Sequence, residues 1–507
     1  MEDLKSKYMS IIEDPIIDAK EIKPDTEDIS LRFPKIIDAF IPQSYKCFSY
    51  KQKGIKLEDS SIWDELPVNN DLNSFFIRYL YSPDSIDYPL VILGHPGSGK
   101  SLLTKVLSAQ LMSDSYTVIR IPLREVNADH GIDILVEDQI KKLTNRSLTT
   151  QGYGGFAEQF SEKPLIIILD GYDELLQAKG DVFSSYLEKA RTFQKDQRGM
   201  KRPVRIIITS RITLIDKARI PENSTILRLM EFDEKQRQAW IDIWNEVNAD
   251  YFHNSNIEPF KLPIGEPGKK NNVLELAEQP LLLLMLALYD AEANDLARIS
   301  NIGRTELYDS LLRRFVRRER GRYSPGFSDK TPIEQEKIID QEMNRLGVIA
   351  IGMYNRRDVV IRSEQLGNDL ESFQAHRNDG SPKAKTLTEA ESVLGGFFFI
   401  HKSIAQDIAA NSNNSENAYE FLHNTFGEFL AADFILRNTI NEVKSVYVDR
   451  KFKPTTELEN PDRYDPAWFY CLMFVPLYSR PVIVEMLHEH AMKAFQHSLG
   501  TDASKIE

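Results

Sequence analysis

Residues Gly94–Ser101 read GHPGSGKS and fit G-x-x-x-x-G-K-[ST]. That spacing suits one kind of chemistry, the binding of a nucleotide's phosphates. Glycines let the backbone curl until its N–H groups point inward at phosphate oxygens. Lys100 then reaches the β- and γ-phosphates, and Ser101 offers a hydroxyl to magnesium. The expected cradle is Gly94, His95, Pro96, Gly97, Ser98, Gly99, Lys100, Ser101 and Leu102. A second stretch, PLIIILDGYDEL (Pro164 to Leu175), places Asp170 at the end of an apolar run. There it reads as the second magnesium anchor, acting through water. An acidic pair follows, Asp173 and Glu174. One of the two orients or activates the attacking water, or the pair merely caps the next helix. A third stretch, VRIIITSR (Val204 to Arg211), ends in Thr209, Ser210 and Arg211. A polar residue there senses the γ-phosphate, and Arg211 contacts it or a neighbouring acid, or is simply solvated. The expected catalytic set is therefore Lys100, Asp170, Asp173, Glu174 and Arg211.

These residues need a frame that brings them to one place. Pro89 to Leu93 is a short apolar strand, and Leu102, Leu103, Val106, Leu107 and Leu111 recur at helical spacing after the loop. Strand, glycine loop and helix is the setting the motif requires. Leu165 to Leu169 is apolar without alternation, as expected of a central parallel strand covered on both faces. YTVIRIPL (Tyr116 to Leu123) and VRIIITSR read as two more strands. In an open α/β sheet, ligands bind outside the carboxyl ends of the strands, which is where Asp170 and Arg211 fall. The expected fold is an α/β P-loop NTPase domain, a parallel sheet with helices on both faces, followed by helical and winged-helix domains.

Beyond these motifs a family becomes recognisable. LIIILDGYDEL resembles the magnesium-aspartate segment of NACHT NTPases, within the STAND group of signalling ATPases: a small residue (Gly171) follows the aspartate, then an acidic pair. IIITSR resembles the family's sensor strand, and FDEKQRQAWIDIW (Phe232 to Trp244) the start of its helical domain. LAEQPLLLLML resembles the helix whose proline lies beside the adenine, which implies that role for Pro280. YEFLHNTFGEFLAADFI (Tyr419 to Ile435) resembles the family's late motif. Read by itself it is a strand, a Thr425/Glu428 capping box, and a helix with Phe426, Phe429, Leu430 and Phe434 on one face. A lone histidine there would be an ordinary core or surface residue. The resemblance implies instead that His423 sits on the winged-helix domain, reaches the β-phosphate of ADP and closes the molecule. The resemblance spans about residues 85–435.

The chain of 507 residues has room for several domains. We expect an N-terminal segment of unknown role at 1–85, the nucleotide domain at 86–225, a helical domain at 226–300, a winged-helix domain at 301–440 and a C-terminal helical segment at 441–507. Arg32 to Tyr45 has the apolar and proline character of a packed extended segment, and Asp71 to Tyr81 that of a short helix. His253 to Asn272 is polar and rich in Pro and Gly, a surface insertion. Arg313, Arg314, Arg317, Arg318, Arg320 and Arg322 cluster on one helix, either as a solvated face or as a contact for an acidic partner or nucleic acid. Gly395 to Ser403 and YEFLH pair as a wing. HEH at His488 to His490 is too bare for a metal site. No repeat array, which STAND proteins usually carry as sensor, follows the winged helix.

Composition narrows the function. Net charge is −13, from 63 basic and 76 acidic residues, which disfavours a nucleic-acid coat. Two cysteines, Cys47 and Cys471, make no disulfide framework or metal cluster and suit a reducing cytosol. The run Pro280 to Tyr289 is shorter than the about 20 residues a bilayer-spanning helix needs. The expected function is a cytoplasmic nucleotide-controlled switch using ATP/ADP and Mg2+. It closes with ADP, self-associates into an oligomer with ATP, hydrolyses slowly, and answers an unknown trigger through an unknown effector, with no membrane and no indicated nucleic acid. The family resemblance points to innate antiviral or antiphage signalling. The alternative is a continuously cycling AAA+-like ATPase that remodels a protein or nucleic acid.

Overall fold

Leu165–Leu169 and Leu90–Leu93 are fully buried along their whole length, so neither strand has a solvent face. Such strands are stable only in the middle of a sheet with helices on both sides. The computed structural model of the chain describes residues 2–17, 31–51, 55–57, 59–95, 97–112, 116–123, 126, 130–146, 148, 152–158, 164–179, 184–216, 218–264, 271–291, 293–298, 302–323, 326–358, 360–374, 400–406, 415–421, 424–452, 476–477 and 480–499. It divides into two compact units, one of Met1–Lys20, Glu27–Pro267 and Leu274–Asn294, the other of Glu21–Thr26, Gly268–Val273 and Asp295–Glu507.

The first unit is built on a 6-stranded sheet. Its strands are β1 (Tyr45–Ser49), β2 (Leu90–Gly94), β3 (Thr117–Pro122), β4 (Leu165–Asp170), β5 (Val204–Arg211) and β6 (Thr225–Leu229). Their order is β1-β6-β2-β5-β4-β3. β2 to β6 are mutually parallel, with Leu90 beside Ile207 and Thr225, and Leu165 beside Val204 and Thr117. β1 differs. It pairs antiparallel with β6, Tyr45 opposite Leu229, and makes the sheet mixed. The sequence reading has no strand here, because YKCFS alternates weakly. Its pairing comes from β6, which also lay at the edge of the expected nucleotide domain and was not read as a strand.

The N-terminal residues are part of this unit. The helix Glu2–Glu13 buries Leu4, Tyr8 and Ile12 in the core of the sheet unit. The helix Leu72–Tyr81 forms as its spacing indicates, with the Asp71 carboxylate accepting from Ser74 N at its start. After β6, the Asp233–Gln236 capping box opens the helix Glu234–Val247. Within the expected surface insertion, Phe260 is fully buried and exchanges two hydrogen bonds with the Asn245 side chain, both 2.9 Å. A polar-looking loop is thus pinned by one aromatic residue.

The second unit holds the helices Arg304–Tyr323, Pro332–Arg356, Ser363–Gln374, Asn424–Phe452 and Pro481–Leu499. With them is a 3-stranded antiparallel sheet of β7 (Val360–Arg362), β9 (Ser415–Phe421) and β8 (Ile400–Gln406), in that order. β8 pairs with β9, Lys402 opposite Tyr419, which is the expected wing pairing. Phe426, Phe429, Leu430 and Phe434 are buried on one face of their helix. Four arginines of the cluster form ion pairs within the unit, while the side chains of Arg318 and Arg322 lie outside the described residues. Arg313 pairs with Asp309, Glu336 and Asp340, Arg314 with Asp295, Arg317 with Glu336, and Arg320 with Glu342. The helix Pro332–Arg356 carries most of these carboxylates, so the charge run is a helix–helix seam. No helix among the described residues is long and apolar enough to cross a membrane.

Candidate functional site

The loop after β2 leaves the middle of the sheet and ends at Gly99, where the helix Lys100–Leu111 begins. Gly97 has φ +76, and a Cβ there would stand 3.1 Å from Leu281 Cβ, so only glycine fits without strain. Gly97 O accepts a hydrogen bond from Leu281 N at 3.2 Å. This contact brings the start of the helix Pro280–Asp290 onto the phosphate loop, with Pro280 at its first position. Lys100 Nζ donates to Gly94 O (3.1 Å), His95 O (3.0 Å) and Ser98 Oγ (3.4 Å). Burial pulls the Lys100 pKa down to about 8; Arg211 pulls the same way, while Asp173, Asp170 and Glu174 oppose it. His95 Nε2 lies 3.5 Å from Glu231 and 3.4 Å from Arg228, tying the loop to the exit of β6. Ser101 is exposed at the first turn of the helix, Leu102 half-buried behind it. Pro96 lies outside the described residues.

The acidic strand end carries a donor on each carboxylate oxygen. Asp170 is 4% exposed. Thr209 Oγ1 donates to its Oδ1 at 2.6 Å, and Arg120 Nη2 to its Oδ2 at 2.5 Å. The Thr104 hydroxyl has one proton and stands 3.0 Å from both Asp170 Oδ2 and Ser101 O. Burial raises the Asp170 pKa, but Arg120 and the hydrogen bonds outweigh it and hold the carboxyl below its ordinary value. Gly171 at φ +86 then turns the chain sharply, its N–H bonded to Thr209 Oγ1 at 2.8 Å. That turn starts the helix Tyr172–Lys179, whose first turn carries the acidic pair. Asp173 is buried and held by Arg211, whose Nε is 3.0 Å from Oδ2 and whose backbone N donates to Oδ1 at 3.2 Å. Glu174 is half-buried at the same turn.

The structure therefore gathers Lys100, Asp170, Asp173, Glu174 and Arg211 at the carboxyl ends of β2, β4 and β5, where open α/β sheets bind ligands. Arg211, expected to contact the γ-phosphate or a neighbouring acid or to be solvated, is buried and in contact with Asp173. Pro280 comes to the loop through its neighbour Leu281. His423 lies outside the described residues. The sequence reading missed Arg120 and Thr104. The signal was there, since a lone arginine in TVIRIP must find a partner once the strand is buried. Ser101 and Asp170 offer a hydroxyl and an ionised carboxylate, the oxygen donors Mg2+ prefers, so the donor set fits that ion. Bound there with a nucleotide, Mg2+ would neutralise charge on the phosphates.

Residues 90–233 match the family model of the AAA ATPases, the ATPase family associated with various cellular activities. The chain thus carries an AAA-type P-loop ATPase domain, and it is a nucleoside-triphosphatase. No curated protein matches the sequence. Among solved structures it is similar to Cdc6p from Pyrobaculum aerophilum, at 12% identity and TM-score 0.25, over 76% of this chain and 97% of that one. It is also similar to the ORC2 protein of Aeropyrum pernix in ADPNP-ADP complexes, at 12% identity and TM-score 0.30, over 73% of this chain and 91% of that one. A STAND protein with a tetratricopeptide repeat sensor from Pyrococcus horikoshii aligns at 14% identity and TM-score 0.29, over 82% of this chain and 53% of that one. At these scores the family match alone carries the assignment.

Proposed function

We propose that this chain is a STAND-type switch of the NACHT kind, closed with ADP and assembling with ATP, in which hydrolysis is slow and resets the state. The observation that carries this reading is the hydrogen bond from Leu281 N to Gly97 O. It makes the helix that starts at Pro280 a direct reader of the phosphate loop. A ligand shifts a conformational equilibrium only through contacts that differ between the states. In this reading Pro280 lies beside the adenine, and His423 supplies the differential contact to the β-phosphate of ADP. Lys100 and Ser101 hold the phosphates and Mg2+, Asp170 the ion's second side, and Glu174 the attacking water. Asp173, already paired with Arg211, keeps that turn in shape. The resemblance of the ordered motifs supports a cytoplasmic role in innate antiviral or antiphage signalling, with a trigger and an effector outside this chain.

The test is native purification followed by identification of the bound nucleotide and the particle mass, for the parent and for His423→Ala. The switch requires a monomer that retains ADP, with looser retention and larger particles in the variant. Unchanged retention and mass in His423→Ala would sink the latch. A second reading, a continuously cycling AAA+-like remodelling ATPase, is favoured by the AAA match over 90–233. It requires an assembled particle with high basal turnover.

A further inference from the structure

Arg120 is a charged side chain inside β3, whose other residues are apolar apart from Thr117. Nucleotide chemistry as described above does not use it. Its guanidinium is spread over two partners, Nε donating to Thr104 Oγ1 at 2.9 Å and Nη2 to Asp170 Oδ2 at 2.5 Å. Its backbone N donates to Tyr8 Oη at 2.9 Å, so the helix Glu2–Glu13 braces the strand at this residue. Arg120 and Asp170 have side chains only 14% and 4% exposed, which removes the solvent screening that weakens surface pairs.

An ionised carboxylate has about four lone-pair sites. At Asp170, Arg120 and the Thr104 hydroxyl face Oδ2, and Thr209 takes one site on Oδ1. With Arg120 on Oδ2 and Thr209 on Oδ1, each oxygen carries a donor and the carboxylate plane is fixed. We propose that Arg120 is a positioning residue of the ATPase site: by bridging Thr104 and Asp170 it fixes the direction in which the carboxylate meets an incoming donor, such as a cation-bound water. This rests on the reading of Ser101 and Asp170 as the Mg2+ residues. A planar, forked guanidinium is needed, because a lysine ammonium reaches one partner at a time with less defined direction. Groups that orient a metal-binding carboxylate set affinity from behind it, and losing one costs about 10–100-fold in metal affinity or activity.

The experiment uses the full chain with Arg120→Met and Arg120→Lys. ADP binding is measured by calorimetry with and without Mg2+, and ATP hydrolysis as a function of Mg2+ concentration. In Arg120→Met, Mg2+-free ADP binding stays within about twofold, because the loop is untouched. Half-saturating Mg2+ rises by about 10–100-fold, and kcat falls by a similar factor while KM changes little. Arg120→Lys recovers part of the Mg2+ dependence. An Arg120→Met protein with parental Mg2+ dependence and kcat overturns the proposal. Should the methionine variant fail to fold, parental Mg2+ dependence in Arg120→Lys overturns it equally, since lysine cannot bridge both partners. If the parent itself binds ADP with no response to Mg2+, the Mg2+ reading of Ser101 and Asp170 falls, and the proposal with it.

Discussion

Replacing Asp173 by alanine removes one half of an ion pair whose other half, Arg211, stays inside the protein. The side chains are 5% and 6% exposed and meet at 3.0 Å. Breaking a buried pair on one side costs about 3–5 kcal/mol, because the remaining charge keeps its desolvation penalty and loses the attraction that offset it. The lost acceptor for Arg211 N adds to this and pushes Asp173→Ala to the upper part of that range. For a domain of this size each kcal/mol shifts the melting midpoint by about 2–4 °C, so Asp173→Ala should lower it by about 10 °C or more. Glu174→Gln keeps the side chain's size and shape and is expected to cost less stability than Asp173→Ala, which breaks a buried ion pair. Its cost falls on hydrolysis, by about 10²–10⁴-fold if Glu174 is the general base. Adding Arg211→Met to Asp173→Ala removes the buried charge that Asp173 balanced and should return part of the lost stability, a coupling that a double-mutant cycle measures. The assays are thermal unfolding without nucleotide and steady-state ATP hydrolysis. The division of labour is refuted if Asp173→Ala unfolds within about 1 kcal/mol of the parent, or if Glu174→Gln retains parental turnover.

Two further outcomes follow from the loop. Lys100 titrates near 8 when surrounded only by protein, and a bound phosphate favours its charged form. Nucleotide binding therefore takes up a proton above that pH: ADP affinity should be flat below pH 8 and about tenfold weaker by pH 9, checked by calorimetry in buffers of different ionisation enthalpy. Constant affinity across pH 7–9.5 would contradict the burial argument. Gly97→Ala puts a Cβ 3.1 Å from Leu281 Cβ on a backbone at φ +76. The expected cost is about 1–2 kcal/mol, seen as faster ADP release, whereas parental retention would mean that the loop and the helix from Pro280 are not coupled.

The local motifs were legible because each rests on short-range physics. GHPGSGKS needs left-handed glycines at fixed offsets, and Gly97 adopts that conformation. LIIIL, apolar without alternation, has no stable place except a doubly covered strand, and it lies in the middle of the sheet. The Asp233–Gln236 capping box forms because a side chain and a backbone N–H are neighbours in sequence. The arginine cluster was legible only as a charge run. Its partners sit on another helix, so whether it faced solvent, a ligand or its own fold depended on packing.

The sequence by itself determined which elements make the nucleotide site and in which order, since periodicity, glycine spacing and terminal acids are written along the chain. Tertiary structure alone decided what each charge does there. That Asp173 belongs to Arg211, that Asp170 is held by Arg120 from a strand fifty residues away, and that YKCFS closes the sheet edge all depend on contacts distant in sequence. A buried charge takes its chemistry from whichever partner folding brings within hydrogen-bond reach, and no local pattern encodes that partner.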